Sequence, residues 1–211
     1  MFDWLWPIAC LGCGEIGRHK WCVDCAPGTP LCPPVESFGI SRAFAVERYG
    51  RPVGQALGRA KRDADRVRAL DLAQLYAAQM APVLRRARPD ALVPAPSTRS
   101  TRASRGFSMA SLLAQSLSKR TGVPVVHALR STATTRLATL NRKGRKQALR
   151  GRVRALRDVP GRVILVDDVM TTGATAEASA VELLGGRTDE VLLATLCVVA
   201  RPRRPRISAR S

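Results

Sequence analysis

Two adjacent carboxylates followed by a hydroxyl-rich turn are the residues of this chain best suited to chemistry. Asp167 and Asp168 come directly after the apolar run at 163–166, and a turn of small residues occupies 171–175. An acidic pair can hold two vicinal hydroxyls by charge-assisted hydrogen bonds. Small residues ahead of a helix let backbone N–H groups approach an anion closely. The pattern therefore predicts a ligand that carries both a diol and a phosphate.

The elements around these residues must place them at an edge of a sheet. The 163–166 run predicts a parallel strand buried on both faces, and the pattern at 176–184 predicts a helix. Open α/β sheets bind ligands at this carboxyl edge, so the ligand fits a ribose 5-phosphate held by the acidic pair. The alternative is that the acids only cap the helix, which would explain one carboxylate but not two. The predicted phosphate cradle consists of Thr171, Thr172, Gly173, Ala174 and Thr175.

Strand and helix patterns alternate along the rest of the chain. Strands are predicted at 43–49, 90–95, 123–129, 163–167 and 190–200. Helices are predicted at 51–62, across 72–83, and from the capping residue Ser108 to Gly122. This alternation predicts an α/β fold with a parallel sheet and helices on its faces.

A basic segment follows the strand predicted at 90–95. It places Arg99, Arg102 and Arg105 three residues apart, in a loop predicted to leave the carboxyl end of that strand. Several cationic donors can hold a pyrophosphate group, so the three arginines are candidate pyrophosphate ligands. An ordinary solvated basic loop is the alternative.

Four cysteines near the N-terminus have the spacing of a metal site. They are Cys10, Cys13, Cys22 and Cys25, in the pattern C-x2-C-x8-C-x2-C. Each pair can present two thiolates from a tight turn, and two pairs complete a tetrahedral Zn2+ site of structural type. Disulfides would need an oxidising compartment, and a redox pair would not explain the duplication. His19 and Cys32 are substitute ligands of second rank, and Cys197 is predicted to be a buried core thiol.

Composition bounds the remaining interpretations. The chain has 211 residues and a net charge of +19, with 30 arginines and 5 lysines. This charge suits an anionic partner, although an arginine-rich composition or a solvated basic surface would also produce it. The sequence has no apolar run long enough to span a membrane and no basic segment of a signal peptide. We therefore expect a cytoplasmic protein without membrane insertion.

The motifs in their order resemble a known family. The segment 163–175 resembles the phosphoribosyl pyrophosphate (PRPP) signature of type I phosphoribosyltransferases. Together with the four cysteines, the Val-Pro-x-Pro…Arg-Gly-Phe loop at 93–107 and the Leu-x-Arg-x-x-Arg stretch at 140–145, it resembles the ComF (competence protein F, also GntX) family. The resemblance covers nearly the whole chain up to about residue 200.

The Pro-rich segment 30–34 predicts a linker and a domain boundary near residue 36. A zinc module and linker would occupy 1–35, a type I phosphoribosyltransferase-like α/β domain 36–200, and a basic tail 201–211, whose arginines and prolines predict disorder. The resemblance also implies a ligand. The ligand would be PRPP with Mg2+, or a nucleotide, and Asp167 and Asp168 would be the catalytic pair. The residues of a loop that closes over the pyrophosphate would be Arg142, Arg145 and Lys146.

Two functions are consistent with the sequence. One is a Mg2+-dependent phosphoribosyltransferase that releases pyrophosphate, with an acceptor that the sequence does not identify. The other is a non-catalytic protein that senses PRPP or a nucleotide, and whose zinc module and basic surface bind single-stranded DNA or a partner protein in competence-type DNA uptake. Gly144 and Ala148 replace the Glu and Asn of the family pattern, which favours binding over rapid turnover. The sequence is compatible with an oligomer.

Overall fold

The computed structural model describes residues 7–35, 37–132 and 153–199. Its elements are, in chain order, β1 (Ile8–Ala9), β2 (Ile16–Gly17), β3 (Arg42–Arg48), α1 (Pro52–Arg62), α2 (Arg66–Ala87), β4 (Ala91–Pro94), α3 (Arg99–Arg105), α4 (Met109–Thr121), β5 (Leu129–Ser131), β6 (Val153–Ala155), β7 (Gly161–Met170), α5 (Ala174–Leu184) and β8 (Thr188–Val198). None of the helices in these ranges is long and apolar enough to cross a membrane.

Four parallel strands form the central sheet in the order β3-β8-β7-β4. The middle strand β7 contains the apolar run predicted at 163–166, and all four of these residues are fully buried. Strands covered on both faces are expected to be continuously apolar rather than alternating. The predicted fold class, a parallel-sheet α/β domain with a small N-terminal cysteine module, is confirmed.

Helices cover both faces of this sheet. On one face, α1, α2 and α4 pack against side chains such as Ile164 and Val166. On the other face, α5 packs against the alternate residues Val163 and Leu165, and the β5–β6 hairpin lies beside it. In α1, the buried residues recur at the spacing expected from the sequence: Val53, Ala56, Leu57 and Ala60. This helix follows β3 at the carboxyl edge and packs on both β3 and β8.

Two of the predicted elements differ from the structure. The segment expected to be a loop carrying three arginines is the short helix α3, because the Thr98 side chain caps it by accepting the Thr101 N–H and Gly106 closes it in a left-handed conformation. The strand expected at 123–129 is reduced to a single parallel bridge between Val125 and Leu92. Ser108 caps α4 as predicted, through a hydrogen bond from the Ser111 N–H.

The cysteine module and its exit segment cover one edge of the sheet. Leu31 pairs with Ala45 of β3 through two backbone hydrogen bonds of 2.7 and 2.9 Å. Trp21 and Leu11 of the module pack against the core cluster that contains α1 and α2. This bridge pairs backbone groups of Ala45 that an edge strand would otherwise offer to another chain.

Candidate functional site

The acidic pair lies near the end of β7, where this strand extends beyond its neighbour β4. Pairing with β4 ends at Pro94 and Val166, whereas pairing with β8 continues to Met170 and Val198. The sequence predicted that the strand would end at Asp167, but it extends three residues further because β8 supplies a partner for it. One side of β7 is therefore open beside Asp167 and Asp168, at the carboxyl edge of the sheet.

The two carboxylates differ in their electrostatic surroundings. Burial first, and then the charge of Asp168, raise the pKa of Asp167 to about 7. The backbone N–H of Asp168 opposes this shift by donating to Asp167 Oδ1 at 2.8 Å. Desolvation and a neighbouring like charge both disfavour an ionised carboxyl group, so one proton is held near neutral pH.

A lysine that sequence reasoning missed completes this cluster. Lys61, near the end of α1, places its Nζ 2.7 Å from Asp168 Oδ2. The signal was present in the pattern, since Lys61 lies four residues after the buried Leu57 and on the same side of the helix. Pattern alone does not tell which strand that side of α1 meets.

The turn after β7 contains the residues predicted to form the phosphate cradle. Gly173 adopts a left-handed conformation with φ of 74°, and α5 begins at the next residue, Ala174. The helix thus starts two residues earlier than the sequence predicted. Thr172 Oγ1 accepts the Ala174 N–H at 3.4 Å, and Thr171 is exposed. The first-turn N–H groups of α5 follow the same strand end as the acidic pair, an arrangement that favours an anion near a diol.

The three candidate pyrophosphate arginines lie on α3, which follows β4 after four residues. Arg99 and Arg102 are exposed and Arg105 is partly buried. None of the ion pairs between described residues involves them. Because β4 neighbours β7, this helix begins at the open side of the acidic pair. The loop candidates Arg142, Arg145 and Lys146 lie outside the described residues.

The four cysteines come together as their spacing predicted. The sulfur atoms of Cys10, Cys13, Cys22 and Cys25 all lie within 4.8 Å of one another, and Cys13 and Cys22 are 3.8 Å apart. A tetrahedral ion with Zn–S bonds of about 2.3 Å needs sulfur separations of about 3.8 Å, so this donor set fits Zn2+. His19 and Cys32 are exposed and do not belong to the group.

The cysteine cluster provides an unequal set of thiols. Burial opposes ionisation of Cys10, but backbone N–H groups of Cys22, Cys13 and Gly12 lower the pKa of its thiol to about 6. Burial and the neighbouring sulfurs raise the pKa of Cys25 to about 12. A metal cation would favour the thiolate form of all four. Cys197, in contrast, is fully buried in β8 as predicted.

Comparisons with known proteins give a limited result. No protein-family model matches this chain, and no curated protein matches it. Among solved structures, it is similar to the purine phosphoribosyltransferase from Pyrococcus horikoshii Ot3, with 20% sequence identity and a TM-score of 0.40. The similarity covers 58% of this chain and 70% of that chain. A likeness at this level carries no argument about ligand or reaction.

Proposed function

We propose that the carboxyl edge of the sheet binds PRPP, or a nucleotide that shares its ribose 5-phosphate. The observation that carries this proposal is the succession of the acidic pair, the left-handed Gly173 and the N-terminus of α5 at the end of one central strand. Carboxylates suit the ribose diol, and helix N–H groups suit the 5-phosphate. The residues assigned to these two roles are Asp167, Asp168, Thr171, Thr172, Gly173, Ala174 and Thr175.

The pyrophosphate of PRPP would face α3. Arg99, Arg102 and Arg105 carry planar guanidinium donors on the helix that follows β4, the neighbour of β7. Guanidinium groups match phosphate oxygens well, and Mg2+ bound together with PRPP would supply further positive charge for the pyrophosphate. The 5-phosphate and the pyrophosphate of the ligand would then each have a separate binding group, the N-terminus of α5 and the arginines of α3.

In an enzyme, this arrangement would support phosphoribosyl transfer. A nucleophile on the acceptor forms a bond to C1 of the ribose, the bond from C1 to the pyrophosphate oxygen breaks, and pyrophosphate leaves with the electron pair. The proton that the acceptor nucleophile loses passes to the solvent. Positioning of the ligand and stabilisation of the departing charge would provide the rate enhancement.

Ligand binding can be tested without knowledge of the acceptor. PRPP with Mg2+ should raise the melting temperature of the full chain, because a ligand bound only to the native state stabilises it by mass action. A double variant, Asp167→Asn with Asp168→Asn, should lose most of this shift. Asp189→Asn, an exposed carboxyl at the start of β8, is the control and should keep it. An unchanged shift in the double variant would refute the assignment of the diol clamp.

The cysteine cluster is proposed to hold one structural Zn2+. Four sulfur ligands leave no open coordination position, so the ion would stabilise the module rather than act on a substrate. Metal analysis of the reduced, purified chain should give about one zinc per chain, with loss of zinc in Cys22→Ser. A zinc-free protein with a disulfide between these cysteines would contradict the proposal.

A second candidate function is nucleic-acid binding, and the net charge of +19 is the observation that favours it. Binding of single-stranded DNA would then weaken steeply with salt, since each neutralised phosphate releases condensed counterions. A titration of labelled DNA at several salt concentrations, with and without PRPP, tests this function. Absence of binding at low salt would leave the positive charge as a solvated surface. A protein partner in DNA uptake is the alternative form of this proposal.

A further inference from the structure

The ion pair between Lys61 and Asp168 joins two elements that are distant in sequence. Lys61 Nζ lies 2.7 Å from Asp168 Oδ2, and the two side chains are only 21% and 22% exposed. Exposed ion pairs contribute little because both side chains remain mobile and solvated. This pair is largely covered, and the neighbouring Ala60 is fully buried, so the core holds the helix backbone from which the lysine extends.

The path of α1 explains why the lysine reaches this position. The helix starts just after β3, where the Val53 N–H donates to Glu47 Oε2 at 3.0 Å. It then packs on β8, the strand between β3 and β7. Lys61, one residue before the end of α1, contacts the end of β7. The helix thus crosses the carboxyl edge and brings a cation to the acidic pair on the side opposite β4.

Charge gives this contact a role beyond stability. With both carboxylates ionised, Asp167 and Asp168 would present two negative charges to a ligand that is itself a polyanion. Among the described residues, Lys61 is the cation that forms an ion pair with this acidic pair. An ammonium has three N–H donors and a carboxylate can accept several, so Asp168 can keep its lysine and still accept a ribose hydroxyl.

We propose that Lys61 is a positioning residue of the ligand site, which holds the Asp168 carboxylate in place and offsets its charge so that an anionic ribose phosphate can bind. The inference rests on the proposed function and deepens it, since it adds α1 to the site. Lys61 acts through Asp168, so its effect should be the same for every ligand that uses the diol clamp.

Binding measurements on the full chain test this role. Calorimetric titration with Mg2+-PRPP and with ribose 5-phosphate should show both affinities reduced about ten-fold or more in Lys61→Met, the scale of one charged hydrogen bond. Lys61→Arg retains the cation and should stay within about three-fold of the wild type. Lys119→Met is the matched control, because it removes an exposed lysine in the last turn of α4, away from the cysteine module and from the carboxyl edge, and it should bind like the wild type.

Titration of Asp167 in the absence of ligand provides a second test, which applies even if a variant binds poorly for another reason. Lys61 lowers the pKa of Asp167, whose other ionisable surroundings in the described part of the chain are Asp168 and, on α2, Tyr76. Glu47 on β3 and Cys197 on β8 complete the cluster around Lys61 and Asp168. Carbon-13 NMR of the carboxyl groups should show Asp167 titrating at higher pH in Lys61→Met, near its wild-type midpoint in Lys61→Arg, and unchanged in Lys119→Met.

The outcomes separate this inference from the proposed function. If the wild type binds neither PRPP nor ribose 5-phosphate, the proposed function fails, and with it the role of Lys61 as a positioning residue. If the wild type binds both and Lys61→Met binds equally well, the role of Lys61 alone is overturned. An Asp167 titration midpoint that is the same in Lys61→Met as in the wild type would also overturn it. A loss confined to PRPP would instead make Lys61 a direct pyrophosphate ligand and refute the positioning role.

Discussion

The Arg59 side chain donates a hydrogen bond to the carbonyl oxygen of Gly12, in the turn between the first two cysteines. A longer contact of 3.4 Å joins the same guanidinium to the Leu11 carbonyl. Two residues further along α1, Lys61 meets Asp168. A single helix therefore contacts both the cysteine cluster and the acidic pair, and the integrity of the module should affect the ligand site.

Substitution of Gly12 tests this connection. A Cβ at Gly12 would lie 2.8 Å from Cys25 Cβ and Sγ and 2.9 Å from Pro52 Cβ, closer than a Cβ atom approaches nonbonded atoms in proteins. We expect Gly12→Ala to reduce zinc content and to weaken PRPP binding, because the turn must move away from α1. Metal analysis and calorimetry on the same preparation measure both effects.

The control for this substitution is Gly28→Ala in the same module. A Cβ there has no atom within 4 Å, so zinc content and PRPP affinity should match the wild type. Normal zinc content and normal affinity in Gly12→Ala would show that the module accommodates the extra methyl group and that the close packing is not required.

The raised pKa of Asp167 predicts a conflict between stability and binding. An unfolded aspartate has a pKa of about 3.9, whereas the folded value is about 7. Between these values the folded state binds more protons than the unfolded state, so stability falls as pH rises through this window and is constant above it. Asp167→Asn removes the penalty and should raise the melting temperature at pH 8 by on the order of 5 °C.

The same substitution should have little effect on stability at pH 4, where the wild-type carboxyl group is protonated in the folded state. Ligand binding should decrease most at pH 8, where the amide replaces an ionised carboxylate that is the stronger acceptor for the diol. Thermal denaturation at the two pH values measures this difference. Equal shifts in melting temperature at pH 4 and pH 8 would contradict the assigned titration.

Gly173 provides a test of the phosphate cradle. Its φ of 74° is a conformation that disfavours residues with a Cβ by roughly 1–2 kcal/mol. Gly173→Ala should therefore lower stability and also disturb the turn that precedes α5, so that both PRPP and ribose 5-phosphate bind more weakly. Denaturant unfolding and calorimetry measure the two effects.

A second glycine separates strain from binding. Gly122 closes α4 with a φ of 78°, and a Cβ added there has no atom within 4 Å. Gly122→Ala should cost a similar amount of stability through the same backbone strain and leave ligand affinity unchanged. If the two variants lose affinity equally, the effect of Gly173 on the ligand is general destabilisation and not a property of the cradle.

Local patterns in the sequence were sufficient to predict part of this structure. The apolar run at 163–166 predicts a strand buried on both faces because every side chain in it is apolar. The paired C-x2-C spacing predicts a cluster of four sulfurs because each pair presents two thiols from one tight turn. The helix α3 was predicted as a loop because serines and threonines have modest helix propensity. Its cap at Thr98 and its closing Gly106 were the signals that indicated a helix.

Contacts between distant segments could not be predicted in this way. Lys61 and Asp168 are separated by more than 100 residues, and their meeting depends on the direction in which α1 crosses the sheet. Strand order decides this direction, and strand order is set by the packing of all the elements together. The length of β7 beyond Asp167 likewise depends on pairing with β8, which periodicity within β7 does not reveal.

The arginines of α3 give the last prediction, because they address the part of PRPP that ribose 5-phosphate lacks. Arg99→Ala with Arg102→Ala should weaken PRPP binding about ten-fold or more, through the loss of charged donors to the pyrophosphate. Affinity for ribose 5-phosphate should change little.

The matched control is Arg85→Ala with Arg86→Ala. These two exposed arginines lie in the last turn of α2, which precedes the amino end of β4, at the edge of the sheet opposite the acidic pair. The control changes the net charge by the same amount, but at a place away from the site, and it should retain PRPP affinity. Equal losses in both double variants would mean that PRPP responds only to the overall positive charge, and α3 would then have no specific role in holding the pyrophosphate.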